Sequence, residues 1–237
     1  LVIVKIGGNI VDDDASLQLF LKSFAEIKQA KILVHGGGKL ATRLAETMGI
    51  QQQMVEGRRI TDAETLKVVT MVYAGYINKS IVAQLQHYGA NSIGLTGADA
   101  NAVLAHKRKG KMPDAIDYGF VGDIDQVNAA FFNKLIQQSL VPVVSPITHD
   151  GKGQLLNTNA DTIAQSIATA MSSFYETILV YSFEKKGVLL DINNADSVIP
   201  IIDSNYYQTL KANQQIFAGM IPKLDNAFVA IEQGVTK

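Results

Sequence analysis

The feature of this sequence that most restricts its fold is a short apolar segment that runs directly into three glycines. Residues 32–35 have the pattern of a buried strand, and Gly36, Gly37 and Gly38 follow at once. The spacing of apolar residues over 39–48 then predicts a helix. Glycines between a strand and a helix let backbone N–H groups approach an anion, and the helix dipole favours negative charge there. The segment therefore predicts an anion-binding turn.

A second turn of the same kind lies at the start of the chain. Residues 2–6 have the pattern of a strand that contains one cation, Lys5, and Gly7 and Gly8 follow it. Two glycine turns and a lysine, each placed at the end of a strand, are typical of a site that binds phosphate.

Strand and helix patterns alternate along the chain. After the first glycine turn, apolar residues recur at helical spacing, namely Leu17, Phe20, Leu21, Phe24 and Ile27. This alternation predicts an α/β fold with helices covering a mainly parallel sheet. The length of 237 residues suits one large domain or two closely packed lobes. The segment 146–156 is the least coupled, so we divide the chain into residues 1–155 and 156–237.

Several elements are predicted in more detail. Thr61 and Glu64 form a capping-box pattern that begins a long helix ending near residue 88. Its predicted buried face is Leu66, Val69, Tyr73, Tyr76, Ile77 and Ile81. Residues 102–128 predict a β-ribbon, and the basic run 107–111 at its tip is interpreted as a solvated loop.

The second half of the chain contains the clearest helical pattern. Its apolar face is Ala160, Ile163, Ala164, Ile167, Ala168 and Met171. Strands are predicted at 178–181 and 187–190, and a helix is predicted near 204–213. The last predicted helix has Leu224, Phe228 and Ile231 on one face.

Composition excludes several classes of function. The net charge of −1 gives no basis for nucleic-acid binding, and no apolar run approaches the ~20 residues that a membrane-spanning helix needs. The chain has no cysteine, which excludes disulfides and thiolate chemistry. We therefore expect a soluble cytoplasmic enzyme with neither a nucleic-acid nor a membrane partner.

Two familiar motifs are also excluded, and no metal site is predicted. Lys39 follows the three glycines as in a P-loop, but Leu40 stands where that motif requires serine or threonine. No serine has the flanking glycines of a hydrolase nucleophile. The four histidines lack metal-ligand spacing.

Four polar residues remain as candidates for chemistry. Lys5 and Lys223 lie beside glycine-containing turns, Asp161 lies at the start of the clearest helix, and Asn157 precedes that helix by a few residues. Each has an ordinary structural interpretation when it is taken singly: a solvated lysine, a helix cap or a turn former.

Together, five segments occur in the order and spacing typical of one family. They are Lys5-Ile6-Gly7-Gly8, His35-Gly36-Gly37-Gly38, Gly57-Arg58-Arg59-Ile60-Thr61, Asn157-Thr158-Asn159-Ala160-Asp161 and Gly219-Met220-Ile221-Pro222-Lys223. Over essentially its whole length the chain resembles the amino acid kinase family. Within that family it most resembles the acylglutamate kinases, because of the third and fourth segments. The resemblance implies an open αβα sandwich around a mainly parallel sheet.

The resemblance also implies a role for each matched residue. Lys5 and Lys223 would stabilise the transferring phosphoryl group, and Asp161 would hold both lysines. The residues implied to bind nucleotide and phosphate are Gly7, Gly8, Gly36, Gly37, Gly219 and Lys223. Those implied to bind the acylglutamate are Gly37, Gly38, Arg59 and Asn157, with Arg59 on the α-carboxylate.

The implied reaction is ATP-dependent phosphorylation of the γ-carboxylate of an N-acyl-L-glutamate, the second step of arginine biosynthesis. Residues 1–155 would bind the acylglutamate and form a homodimer, and residues 156–237 would bind ATP, with Mg²⁺ held mainly by the phosphates. A carboxylate nucleophile is already ionised at neutral pH, so no general base is needed. The site must instead overcome repulsion between two anions, and lysines and backbone N–H groups suit that task.

Three departures from the family pattern leave alternatives open. Residues 182–187 lack the aspartate that relatives usually place near the nucleotide. Arg58 stands where relatives usually have an apolar residue, which suggests either a surface arginine or a cation for an N-succinyl group. Relatives continue past Lys237, so the C-terminal lobe is treated as truncated. The alternatives are a carbamate or aspartate kinase and a non-catalytic nucleotide-binding regulator on the same fold.

Overall fold

A computed structural model describes residues 1–55, 58–109, 116–216 and 218–237, without the side chains of Arg58 and Ala218. The strands are β1 (Val2–Ile6), β2 (Lys31–His35), β3 (Met54–Val55), β4 (Arg58–Arg59), β5 (Ser92–Leu95), β6 (Val103–Lys107), β7 (Gly122–Val127), β8 (Val141–Val144), β9 (Ile147–His149), β10 (Leu155–Asn157) and β11 (Ile178–Ser182). The α-helices are α1 (Gly8–Val11), α2 (Asp14–Glu26), α3 (Gly38–Thr47), α4 (Ala63–Thr70), α5 (Asn78–His87), α6 (Ala129–Gln137), α7 (Ala160–Met171), α8 (Ser204–Ala212) and α9 (Ile221–Glu232). A π-helical segment, Met71–Ile77, joins α4 to α5.

The central sheet has five parallel strands in the order β11-β1-β2-β8-β5. β1 lies between β2 and β11, and Lys5 is paired with Val34 on one side and Tyr181 on the other. Because all five strands run the same way, the turns that follow them meet at one edge of the sheet. The two glycine turns therefore lie side by side.

Helices cover both faces of this sheet, which makes the predicted αβα sandwich. On one face, α2, α3 and the long helix α4–α5 pack on Val4, Ile6, Leu33 and Val143. On the other face, α6, α7 and α9 pack on Ile3, Ile32, Val34 and Val144. The sheet strands are apolar on both faces because each face contacts helices.

Helix α7 has the buried face that its sequence predicts. Ile163, Ala164, Ile167, Ala168 and Met171 are fully buried. Asn159 caps the helix, because its Oδ1 accepts from the N–H groups of Asp161 and Thr162. The helix start, and with it the carboxylate of Asp161, is thereby fixed beneath the end of β1.

A second sheet, in the order β10-β9-β6-β7, lies beside the first. β6 and β7 are antiparallel, which confirms the predicted ribbon. The tip falls partly on residues 110–115, which lie outside the described residues. β3 and β4 pair in antiparallel fashion, Met54 with Arg59 and Val55 with Arg58.

The start of the long helix was predicted wrongly. Asp62 is its N-cap and accepts from Thr65 N at 2.7 Å, whereas Thr61 precedes the helix in an isolated bridge with Gly119. Thr61 Oγ1 instead donates to Arg59 O and accepts from Asn157 Nδ2. Glu64 pairs with Lys67.

Three further predictions about burial or strands were wrong. Tyr76 is 69% exposed because the π-helical segment shifts the helical phase within the long helix. Ile231 is 48% exposed, and Ala230 faces the core in its place. Residues 187–190 form no strand in the described chain beyond a single bridge from Leu189 to Val198.

None of the helices in the described ranges is long and apolar enough to cross a membrane.

The central role of α7 in the core gives a test by mutation. Ile167 is fully buried against the sheet, and we expect Ile167→Ala to lower the free energy of unfolding by about 3 kcal/mol. Leu19 on α2 is 70% exposed, and Leu19→Ala should change the free energy of unfolding by about 0.5 kcal/mol or less. Urea denaturation measures both, and equal losses would contradict the packing described.

Candidate active site

The two glycine turns follow neighbouring strands and touch each other. Gly7 is the N-cap of α1 and Gly37 is the N-cap of α3. A Cβ on Gly36 would lie 3.9 Å from Gly8 N. Within the described part of the chain, the N–H groups of Gly8 and Gly37 donate to no protein acceptor. Two free N–H groups therefore meet at the edge of the sheet.

Gly37 cannot be replaced without strain. Its φ of +146° lies outside the range that L side chains adopt readily. A Cβ at this position would lie 2.2 Å from Ile77 Cδ1, at the end of the π-helical segment. The turn therefore packs directly against the long helix.

One carboxylate joins two lysines at the end of β1. Lys5 Nζ lies 2.7 Å from Asp161 Oδ1, a close ion pair rather than a well-aligned hydrogen bond, and Lys223 Nζ donates to Asp161 Oδ2 at 2.8 Å. Lys5 comes from β1, Asp161 from the first turn of α7 and Lys223 from the first turn of α9. Three separate elements thus converge on one small volume.

Burial sets the electrostatics of this cluster. Lys5 and Asp161 are each 7% exposed. Burial lowers the pKa of Lys5, and the charge on Lys223 lowers it further, against the opposing effect of Asp161. Burial would raise the pKa of Asp161, but Lys5 and Lys223 together outweigh it and hold that pKa below its ordinary value. Asp161 is therefore ionised at neutral pH.

The cluster stands at the end of a cleft of about 580 Å³. Lys5, Gly8, Gly219 and Lys223 line one end. The large apolar residues along this cleft are Phe183, Leu189, Leu190, Ile192, Ile216 and Met220. A cationic end with backbone donors and a mostly apolar wall suits a nucleoside polyphosphate.

A second cleft, of about 230 Å³, opens beside the turn of Gly36, Gly37 and Gly38. It is lined by Gly36, Gly37, Gly38, Arg59, Tyr73, Arg108 and Asn157, among others. Arg59 is buried, and its guanidinium donates to Gly38 O at 3.0 Å, to Thr42 Oγ1 at 2.8 Å and to Gln52 Oε1. A guanidinium fixed in this way is suited to a carboxylate.

Arg108 corrects the interpretation of residues 107–111 as a solvated loop. Its Nε donates to both carboxylate oxygens of Asp123, at 3.0 and 3.1 Å, and its guanidinium lies 5.9 Å from the centre of the Tyr118 ring. Lys107 and Lys109 are exposed, as predicted. A basic run gives no signal that one of its members turns inward.

A model of the amino acid kinase family matches residues 1–237. The chain belongs to the amino acid kinase family. Curated relatives of this chain carry the name acetylglutamate kinase, including the two that follow. The one from Phocaeicola vulgatus is 56% identical over 237 residues, covering 100% of this chain and 91% of that protein. The one from Cytophaga hutchinsonii is 56% identical over 236 residues, covering 100% of this chain and 89% of that protein.

A solved structure shows the same fold as this amino acid kinase. It is the N-acetylglutamate synthase from Neisseria gonorrhoeae complexed with coenzyme A and N-acetyl-glutamate, with a TM-score of 0.80 and 20% identity. The match covers 99% of this chain and 52% of that one. At this identity the similarity concerns the fold alone.

The structure brings most of the residues predicted for the kinase site together. Lys5, Lys223, Asp161, Gly7, Gly8 and Gly219 lie around the larger cleft, and Gly36, Gly37, Gly38, Arg59 and Asn157 around the smaller one. Gly57 and the side chain of Arg58 lie outside the described residues. Sequence reasoning missed Tyr73, which lines the smaller cleft and was predicted only as a core residue. Asn159, which lies between the candidates Asn157 and Asp161, was not singled out either, although it caps α7.

The lysine–aspartate cluster in this kinase gives a stability test. Asp161→Asn would leave two lysines close together without a counter-charge, so we expect it to lower the free energy of unfolding by about 3 kcal/mol. Adding Lys5→Met should restore part of that loss, because it removes one of the two charges. Asp196 pairs with Lys186 in solvent, and Asp196→Asn is the matched control, with a change of about 0.5 kcal/mol or less. A loss for Asp161→Asn no larger than the control's would contradict the account.

Proposed function

We propose that the chain transfers the γ-phosphoryl group of ATP to the γ-carboxylate of N-acetyl-L-glutamate, giving the acyl phosphate and ADP in arginine biosynthesis. One observation carries the proposal: the two lysines that line the larger cleft are held by Asp161, which directly follows Asn159 and Ala160 in the lining of the smaller cleft. The names of the relatives, at 56% identity over the whole chain, support the choice of substrate.

In this proposal the amino acid occupies the smaller cleft. Arg59 binds its α-carboxylate through the N–H groups on Nε and Nη1 that Gly38, Thr42 and Gln52 leave free. Asn157, whose Nδ2 donates to Thr61 Oγ1 at 3.0 Å, keeps its carbonyl oxygen for the substrate amide. The γ-carboxylate then points past the glycine turn towards Lys5.

The transfer itself needs charge stabilisation and alignment. A γ-carboxylate oxygen forms a bond to the γ-phosphorus, and the bond from that phosphorus to the β–γ bridging oxygen breaks, so the electron pair leaves with ADP. No proton moves. Lys5 and Lys223 offset the negative charge that spreads over the phosphoryl oxygens, while the N–H groups of Gly8 and Gly37 donate to the phosphates.

The proposal assigns nucleotide binding to residues 156–237 and amino-acid binding and dimerisation to residues 1–155. Mg²⁺ is carried on the phosphates and neutralises part of their charge when bound. Met71 and Tyr76, both exposed on the long helix, support the homodimer. We also propose a cytoplasmic setting, in keeping with a biosynthetic enzyme.

A substrate comparison tests this function. We expect ATP-dependent formation of an acyl phosphate, trapped with hydroxylamine, from N-acetyl-L-glutamate and not from aspartate or carbamate. N-succinyl-L-glutamate belongs in the panel because of Arg58, and Arg58→Leu should change the ratio of the two acylglutamates if that side chain meets the acyl group. Turnover of aspartate or carbamate alone would overturn the proposed substrate. No turnover of any substrate in the panel would favour the alternative of a non-catalytic nucleotide-binding regulator.

Removing one lysine should slow the transfer sharply. We expect Lys5→Ala to lower kcat by roughly 100-fold, equivalent to about 3 kcal/mol of barrier, because a preorganised donor is lost. Lys28 is a lysine outside the site, and Lys28→Ala should leave kcat unchanged. Near-wild-type turnover by Lys5→Ala with both substrates saturating would remove Lys5 from the mechanism.

The lowered pKa of Lys5 should appear in the pH profile. Above its pKa in the folded protein, Lys5 becomes neutral and no longer offsets phosphoryl charge, so kcat/KM should fall. We expect this fall to begin below the ordinary lysine value of 10.5. In Lys5→Arg the guanidinium stays charged, and the residual activity should persist to higher pH. An alkaline limb at the same pH in both proteins would contradict this assignment.

A further inference from the structure

We infer that His35 is a positioning residue that orients the Gly36–Gly37 peptide so that the Gly37 N–H faces the phosphoryl group. The inference rests on the proposed function, because it concerns how that site is held ready. The sequence gives His35 only as the last residue of a strand, before the glycines. Its surroundings show what the ring does there.

The imidazole of His35 is fully buried and contacts polar groups on both sides. Nδ1 lies 2.8 Å from Gly36 O, and Nε2 lies 3.2 Å from Asn78 Nδ2. A carbonyl oxygen can only accept, so Nδ1 carries the proton and donates to Gly36 O. Nε2 is then the acceptor for the amide of Asn78. Burial lowers the pKa of His35 to about 4, which agrees with a neutral ring.

The amide of Asn78 is oriented by its own neighbours. Its Nδ2 donates to Val143 O at 3.0 Å, and its Oδ1 accepts from Lys79 Nζ at 3.2 Å. These partners fix which end of the amide faces His35. A continuous chain of hydrogen bonds therefore runs from β8 through Asn78 and His35 to the carbonyl of Gly36.

Gly94 on β5 leaves the space that Asn78 occupies. A Cβ on Gly94 would lie 1.9 Å from Asn78 Oδ1 and 2.7 Å from Lys79 Nζ. No backbone turn requires a glycine at this position, since Gly94 lies inside a strand that pairs regularly with β8. The close approach of a polar side chain explains why no larger residue fits there.

Because a trans peptide is planar, fixing the direction of the Gly36 C=O also fixes the direction of the Gly37 N–H. The C=O of Gly36 and the N–H of Gly37 belong to one planar unit and point in opposite directions. The described chain contains no cis peptide bond. When His35 holds the carbonyl on the protein side, the Gly37 N–H is turned away from the protein, and it has no acceptor there. The ring thus presets a donor for a phosphoryl oxygen.

Ile77 restrains the same turn from the other side. Its Cδ1 fills the position that a Cβ on Gly37 would occupy. Ile77 is the last residue of the π-helical segment and immediately precedes Asn78. The extra residue in that segment sets the phase at which both side chains meet the glycine turn. Packing and hydrogen bonding from consecutive residues therefore act on one peptide.

Two substitutions test the roles of the two ring nitrogens of His35 separately. The amide nitrogen of asparagine can occupy the position of Nδ1, so His35→Asn keeps a donor to Gly36 O. The amide of glutamine reaches the position of Nε2, so His35→Gln keeps the contact with Asn78 and loses the one with Gly36. Both replace the buried ring by an uncharged amide.

We expect His35→Gln to lower kcat for N-acetyl-L-glutamate by roughly 10- to 100-fold, because a preorganised donor is misdirected. His35→Asn should retain kcat within about threefold, and KM for either substrate should change less than kcat in both. Melting temperatures are measured beside the kinetics. If kcat falls equally in both variants, or follows the melting temperature rather than the position of the amide, the inference is wrong.

Binding of a non-hydrolysable ATP analogue gives a readout that does not depend on turnover. We expect its Kd, measured by calorimetry with Mg²⁺, to rise severalfold in His35→Gln and to stay near the wild-type value in His35→Asn. If the wild type phosphorylates no acylglutamate, the proposed function fails, and this comparison still decides the role of His35. Equal affinities in the two variants would overturn it.

Discussion

The two ion pairs of Asp161 are the interaction on which the rest of the site depends. Lys5 and Lys223 come from elements far apart in the sequence, and neither would remain beside the other without a shared counter-charge. Removing water from three charges is costly, and the pairing offsets that cost only while all three are present. The cluster therefore joins β1, α7 and α9, and in the proposed function it concentrates positive charge beside the transferring phosphoryl group.

The parallel sheet determines where this charge lies. Strands that run in one direction bring their following turns to one edge, so the two glycine turns and the start of α3 meet there. The ion pair from Asp161 to Lys5 joins the start of α7 to the same edge. The larger cleft is lined by Gly7 and Gly8, and the smaller one by Gly36, Gly37 and Gly38. In the proposed function, two anionic substrates approach from these two clefts and meet where backbone donors and lysines reduce their repulsion.

Much of this arrangement could be predicted from the sequence. The alternation of strand and helix patterns predicted the α/β fold. The predicted apolar face of α7 is buried in the structure from Ile163 to Met171, because local periodicity directly reflects packing on a sheet. The glycine turns were recognisable because few residues other than glycine allow such close approach. Membership in the family followed from five short segments in order, and the family match over residues 1–237 agrees.

The errors concern residues whose environment is set by distant parts of the chain. Thr61 fits a capping box locally, yet Asn157 and Gly119 hold it outside the helix. Tyr76 obeys the period of an α-helix, but a π-helical segment changes the phase. Arg108 looks like part of a solvated basic run until Asp123 and Tyr118 surround it. None of these contacts has a local sequence pattern.

The central claim is that Asp161 holds two lysines for the transferring phosphoryl group rather than for the nucleotide alone. Calorimetry can compare MgADP with MgADP plus aluminium fluoride, a mimic of that group in transit, in the presence of N-acetyl-L-glutamate. We expect Asp161→Asn to weaken binding of the mimic at least tenfold more than binding of MgADP, because only the mimic carries the charge that the lysines meet. Equal weakening of both ligands would contradict the account.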